Sequence, residues 1–178
     1  NDLFSMFNLT IMNLRRFLAI AVLFLMSFQG YASHLLGGEI VWKCKPNGKY
    51  QFTLVVYRDC GGISLPTSAQ SLATNAGVSI SCAYISTTDV VPSCYTGTTS
   101  CSGATSGQGR MQKYVYRSGD ITLTGTPPAS GWYFTWNSCC RPSSITNVVS
   151  PGGASYLLRA VMYPYTPPGS TTALSAGT

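Results

Sequence analysis

From residue 40 onward, apolar and polar positions alternate with a period of two over much of the chain, and this period predicts strands. Ile40, Trp42 and Cys44 alternate with Val41, Lys43 and Lys45; Tyr50, Phe52, Leu54 and Val56 alternate with Gln51, Thr53, Val55 and Tyr57. The two runs form a hairpin, and keeping its faces separate fixes its register. A two-residue Asn47-Gly48 loop would set Lys43 against Phe52 and Trp42 against Thr53, mixing the faces. A three-residue loop, Pro46-Asn47-Gly48, pairs Cys44 with Tyr50, Trp42 with Phe52 and Ile40 with Leu54. Lys45 then faces Lys49, and Lys43 faces Gln51, on the outside. Pro46 and Asn47 suit a type I turn and Gly48 the left-handed position after it.

Further strands follow. Val78, Ile80, Cys82 and Tyr84 alternate with Ser79, Ser81 and Ala83; Tyr114 and Tyr116 mark one short strand, and Ile121 and Leu123 another. Trp132, Phe134 and Trp136 against Tyr133, Thr135 and Asn137 give the strongest signal. Tyr156 to Tyr163 is apolar on both faces except at Arg159, the pattern of a central strand. No amphipathic helix of useful length is present. The expected fold is all-β: a disulfide-stabilised antiparallel β-sandwich, immunoglobulin-like or jelly-roll-like, of about seven strands. Between Ser86 and Ser106 the alternation gives way to a polar loop holding eleven Ser or Thr in 21 residues. A loop of that length needs a tie, and a local Cys94–Cys101 bridge would supply one.

The start of the chain reads as an address. Arg15-Arg16 precedes the apolar run Phe17 to Phe28, and Gly30-Tyr31-Ala32 offers small residues for a signal peptidase, so cleavage is expected after Ala32. The run is shorter than the roughly 20 residues a membrane span needs. The organisation expected is therefore upstream residues plus a Sec-type secretory signal over 1–32, a β-sandwich over 33–163 with its Ser/Thr-rich loop at 86–106, and a linker to further domains from 164 to 178. The mature chain is expected to be secreted to the cell surface, with no membrane span.

Composition sharpens this picture. Of 178 residues, only 9% are charged, while 22 Ser and 19 Thr supply the polar surface. Such a surface suits strands and turns better than helices. The formal charge is +6, falling to +5 without the leader, and the basic residues are scattered. A nucleic-acid partner, which needs a clustered basic face, is not expected.

Seven cysteines in an exported chain read first as disulfides: Cys44, Cys60, Cys82, Cys94, Cys101, Cys139 and Cys140. Adjacent Cys139 and Cys140 would point to opposite faces of a strand and need different partners; Cys60, closing the second strand, is the best candidate for one of them. With no Cys-x-x-Cys pair and a single histidine, His34, neither a metal site nor a cofactor is expected. Catalysis is not expected either. Glu39 and Asp59, on the two arms of the first hairpin, could approach as a glycosidase pair, but local bonds to Arg58, Arg141 or loop amides explain them more simply. The glycine-rich 103–109 segment lacks the Lys-Ser/Thr of a phosphate loop. Tyr133, facing away from Trp132 and Trp136, is the strand aromatic expected at the surface.

Three segments carry a resemblance. His34-Leu35-Leu36-Gly37-Gly38-Glu39-Ile40, Tyr57-Arg58-Asp59-Cys60 and Cys139-Cys140-Arg141-Pro142-Ser143-Ser144-Ile145-Thr146-Asn147 resemble the N-terminal domain of large Bacteroidota surface proteins. Those proteins are gliding-motility-associated or adhesin-like, exported by type IX secretion, and often carry PKD-like repeats. The resemblance implies a non-catalytic extracellular module whose structural motif residues are Gly37, Gly38, Glu39, Tyr57, Arg58, Asp59, Arg141 and Asn147. Its partners would be a surface ligand, glycan or protein, and downstream domains of the same protein. Two rival readings remain: a secreted carbohydrate-active enzyme or carbohydrate-binding domain using Glu39, Asp59 and surface aromatics, and a structural cap for an envelope assembly.

Overall fold

Parity and turn chemistry build the first hairpin as the pattern predicts. Strand β1 (Leu35–Cys44) pairs antiparallel with β2 (Tyr50–Asp59), with Cys44 opposite Tyr50, Trp42 opposite Phe52 and Ile40 opposite Leu54. Gly48 closes the turn at φ 71°, and the Lys45 amide donates to the Lys49 carbonyl at 2.8 Å. The computed structural model of the chain describes residues 35–91, 97, 100–103, 109–139, 141–142, 145–173 and 176. The predicted leader, His34, Cys94, Cys140, Ser143 and Ser144 lie outside these residues.

Five more strands follow: β3 (Gln70–Thr74), β4 (Ile80–Val90), β5 (Met111–Ser118), β6 (Trp132–Cys139) and β7 (Ser155–Met162). The only other regular element among the described residues is a 3-10 turn at Pro151–Gly153. The sheet order is β1-β2-β5-β4-β3-β6-β7, and every neighbouring pair is antiparallel. β3 makes the corner: Gln70, Ser71 and Leu72 pair with β4, then Ala73 and Thr74 pair with β6. The sheet thereby folds into a nearly closed sandwich or barrel in which β1 lies beside β7.

With seven antiparallel strands, the two end strands must run in the same direction. They cannot extend the antiparallel pattern across the seam, and no ladder joins β1 to β7 among the described residues. Close packing holds the seam instead. A side-chain carbon at Gly38 would stand 2.6 Å from the Val55 carbonyl oxygen and 2.7 Å from Leu158 Cδ1, so only glycine fits there. Inside, Phe52, Leu54, Val56, Ile80, Cys82, Tyr116 and Phe134 are fully buried. The Phe52 and Phe134 rings lie 4.6 Å apart, with Trp42 tilted against both. Burial pushes the Tyr116 hydroxyl up to about 12, helped by Tyr114 and Tyr84, and that hydroxyl donates to the Pro66 carbonyl at 2.8 Å.

Several expectations need correction. Ile121 and Leu123 form no strand: Ile121 makes a single bridge to Tyr50, while Leu123 is buried from a coil segment. β3 takes the vacant place in the count. β4 runs on through Ser86 to Val90, inside the stretch read as loop, because a bulge between Tyr84 and Ser86 shifts its register and lets Thr87, Thr88 and Asp89 pair with β5. β7 ends the sheet order and is not central; Leu157, 60% exposed, belongs to its outer face. Ala176, within the stretch read as linker, packs on the core and donates its amide to Gly125 O at 2.7 Å.

Candidate functional site

The three motif segments, far apart in sequence, meet at one pole of the barrel. There β1, β5 and β7 begin and β2 and β6 end, so strand direction alone gathers their terminal residues. Leu35 and Leu36 come from the start of β1, where a register shift between Leu35 and Gly37 lets consecutive residues serve the same end. Asp59 comes from the end of β2, and Arg110 and Met111 from the start of β5. Arg141, Pro142 and Ile145 come from the segment after β6, and Tyr156 from β7. Together they line a cavity of about 410 Å³, within the range typical of small-molecule sites.

Apolar groups make most of its wall, and the charged ones are held. Asp59 is 5% exposed and accepts the Gly61 amide on Oδ1 at 2.9 Å. Arg110, equally buried, donates from Nη1 to the Ser100 carbonyl at 2.7 Å, while its own carbonyl accepts the Cys60 amide at 3.1 Å. The Arg141 guanidinium carbon lies 5.1 Å from the centre of the Tyr156 ring. Its backbone amide donates to the Pro151 carbonyl at 3.2 Å, which fixes where the side chain starts.

A disulfide and a polar network brace the same pole. Cys60 is bonded to Cys101, across a sequence separation of 41. This corrects both expected pairings, Cys94 with Cys101 and Cys60 with Cys139 or Cys140. The β2 end and the segment before β5 adjoin through the β2–β5 ladder, so Cys101 is delivered to Cys60 and not to its near neighbour in sequence. Cys139 is also disulfide-bonded. Cys44 and Cys82, both among the disulfide candidates, are free thiols: Cys44 is exposed at the hairpin tip, and Cys82 points into the core from β4. Burial pushes the Cys82 thiol up to about 11.

Arg58 is buried on the face of β2 that carries Val56, and it works as scaffold. It donates to the carbonyls of Asp59 and Gly62 and to Gln112 Oε1, at 2.9 Å from Nε and 2.5 Å from Nη2. Gln112 in turn donates to Asp89 Oδ1 at 2.8 Å, and the Cys101 amide donates to Asp89 Oδ2 at 2.9 Å. These bonds, the amide's first, then Gln112's, hold the Asp89 carboxyl below the usual range, with a smaller contribution from the Arg58 charge. Arg58 ties turn carbonyls and Gln112, whereas Asp59 and Arg141 line the cavity.

Other candidate residues fall elsewhere. Glu39 is exposed opposite Val55, four strand positions or about 13 Å along β2 from Asp59. That is beyond the spacing of a glycosidase pair. Gly37 and Gly38 lie at the seam, Tyr57 is half-buried and Asn147 is exposed. Tyr133 is half-buried, with the Arg159 guanidinium 5.4 Å from its ring centre. Among the described residues no three His, Cys, Asp or Glu side chains cluster to hold a metal ion, and no helix is long and apolar enough to cross a membrane. Sequence reasoning missed Arg110, Met111 and Tyr156, which no motif or local pattern singles out. Comparison with protein-family models, curated proteins and solved structures gave no match.

Proposed function

We propose that the chain is an exported binding module of a cell-surface protein, adhesin-like or gliding-motility-associated, and that it acts without catalysis. The observation that carries this reading is the meeting of all three motif segments around one cavity at a disulfide-braced pole. Each of the three motif segments sends residues to this one end, Leu35 and Leu36 from the first, Asp59 from the second, and Arg141, Pro142 and Ile145 from the third, where a partner can reach them. The Cys60–Cys101 bridge supports an oxidising destination outside the cytoplasm, and the resemblance to Bacteroidota proteins exported by type IX secretion names the class of parent. The separation of Glu39 from Asp59 weighs against the glycosidase reading.

The test labels intact source cells with a membrane-impermeant amine reagent and then maps non-reduced peptides of the captured protein. The expected result is labelled protein carrying a Cys60–Cys101 cross-linked peptide. Protein that labels only after lysis and carries both cysteines reduced would overturn the proposal.

A further inference from the structure

We propose that the cavity at the Asp59 pole binds a carboxylate carried on a small apolar body, with Arg141 taking the charge. The inference rests on the reading of the domain as a binding module and names the chemistry of its ligand. Leu35, Leu36, Met111, Pro142 and Ile145 give the cavity an apolar wall, and about 410 Å³ admits a small ligand or the last residue or two of a peptide.

Charge selects the head group. Two guanidiniums and one carboxylate line the space, an excess of one positive charge. Arg110 and Asp59 already bond to backbone groups of the surrounding turns. Arg141 differs: among the described residues no hydrogen bond or ion pair engages its side chain, which rests beside the Tyr156 ring. An arginine resting on an aromatic face keeps its N–H donors in the guanidinium plane, where they match the two oxygens of a carboxylate. A doubly charged phosphate would place its second negative charge near Asp59, whereas a single carboxylate leaves the cavity neutral. Tyr156 then fixes the orientation of the guanidinium and adds an apolar surface for the ligand body.

The experiment titrates the full oxidised chain by NMR with two acids, hexanoate and N-acetyl-alanyl-leucine, each paired with its primary amide. At least one acid is expected to shift the resonances of Leu36, Met111 and Tyr156, with its amide tenfold or more weaker, the size of a lost charged hydrogen bond. Arg141→Gln is expected to weaken the acid by a similar factor while the melting temperature holds, and Arg141→Lys, which keeps the charge without the fork, to weaken it less. Hexanoate binding identifies a free small acid as sufficient; binding of the peptide alone identifies a chain terminus. Equal affinity for acid and amide, an unchanged affinity in a folded Arg141→Gln protein, or no shift from either acid at millimolar concentration each overturns the proposal. None of these outcomes alters the surface-labelling result, so the two readings fail separately.

Discussion

Gly38→Ala is the sharpest probe of how the barrel is closed. The added methyl would meet the Val55 carbonyl oxygen at 2.6 Å, Leu158 Cδ1 at 2.7 Å and Val56 Cα at 3.4 Å. Leu158 can turn aside, but the carbonyl and Cα are backbone within a paired strand. Overpacking of this kind costs about 1–3 kcal/mol, and the backbone contact places Gly38→Ala in the upper half of that span. The loss of unfolded-state freedom offsets about 0.4–1 kcal/mol, leaving a net loss of about 1–2.6 kcal/mol. At about 2–4 °C per kcal/mol for a domain of this size, the melting temperature should fall by about 2–10 °C. Gly37→Ala is the control, because its nearest outside atom is the Tyr156 hydroxyl at 3.9 Å, an ordinary contact; it should melt at or slightly above the parent. Combining Gly38→Ala with Leu158→Ala should cost less than the sum of the two, since one of the clashing groups is gone. Thermal melts followed by near-ultraviolet dichroism decide it. If Gly38→Ala melts within a degree of the parent, or Gly37→Ala falls as far, the seam is not closed by packing at Gly38.

Three further outcomes follow from the disulfide, the free thiols and the Asp89 network. Replacing Cys60 and Cys101 together by Ala opens a loop with a sequence separation of 41 and should cost about 4 kcal/mol by loop-closure entropy, a fall of about 8–16 °C in a melt; indifference to this change would refute the bracing role. Iodoacetamide at pH 8 should alkylate exposed Cys44 in the native protein and spare Cys82, whose thiol is raised to about 11, until the chain unfolds; peptide mass mapping that finds both modified at equal rates would contradict the buried placement. Asp89 has a lowered folded pKa, so its contribution is complete above the ordinary carboxylate value near 4 and is lost as pH falls through the folded value. Asp89→Asn should therefore flatten the acid side of the melting-temperature profile below about pH 4, and an unchanged slope there would count against the network.

The parts of the fold that parity controls were legible in the sequence. Trp42 against Phe52 followed from keeping apolar residues on one face and from a glycine at the one left-handed position of the turn. The second half of β4 was hidden because the bulge at Tyr84 and Ser86 breaks the register while hydroxyl residues occupy both faces. β3 was hidden for another reason: of its five residues only Leu72 is buried, so it carries no alternation to read. The disulfide pairing depends on which strand ends the closed sheet brings together, a non-local property. The cavity was half legible. Asp59 and Arg141 stood out in motifs, but Tyr156 reaches the pole only because β7 runs parallel to β1, which follows from the strand count and no local pattern.

That parallel seam has a mechanical consequence. β1 starts at the cavity pole and β7 finishes at the opposite one, so a pull applied through the two ends of the domain would run along the strands and slide β7 past β1. Most of the barrel would answer such a load with antiparallel ladders, but at the seam the resistance comes from Leu158 lodged against Gly38 and from the Tyr156 hydroxyl beside Gly37. A load on the domain would thus meet, at the seam, a steric catch close to the pole that carries the cavity.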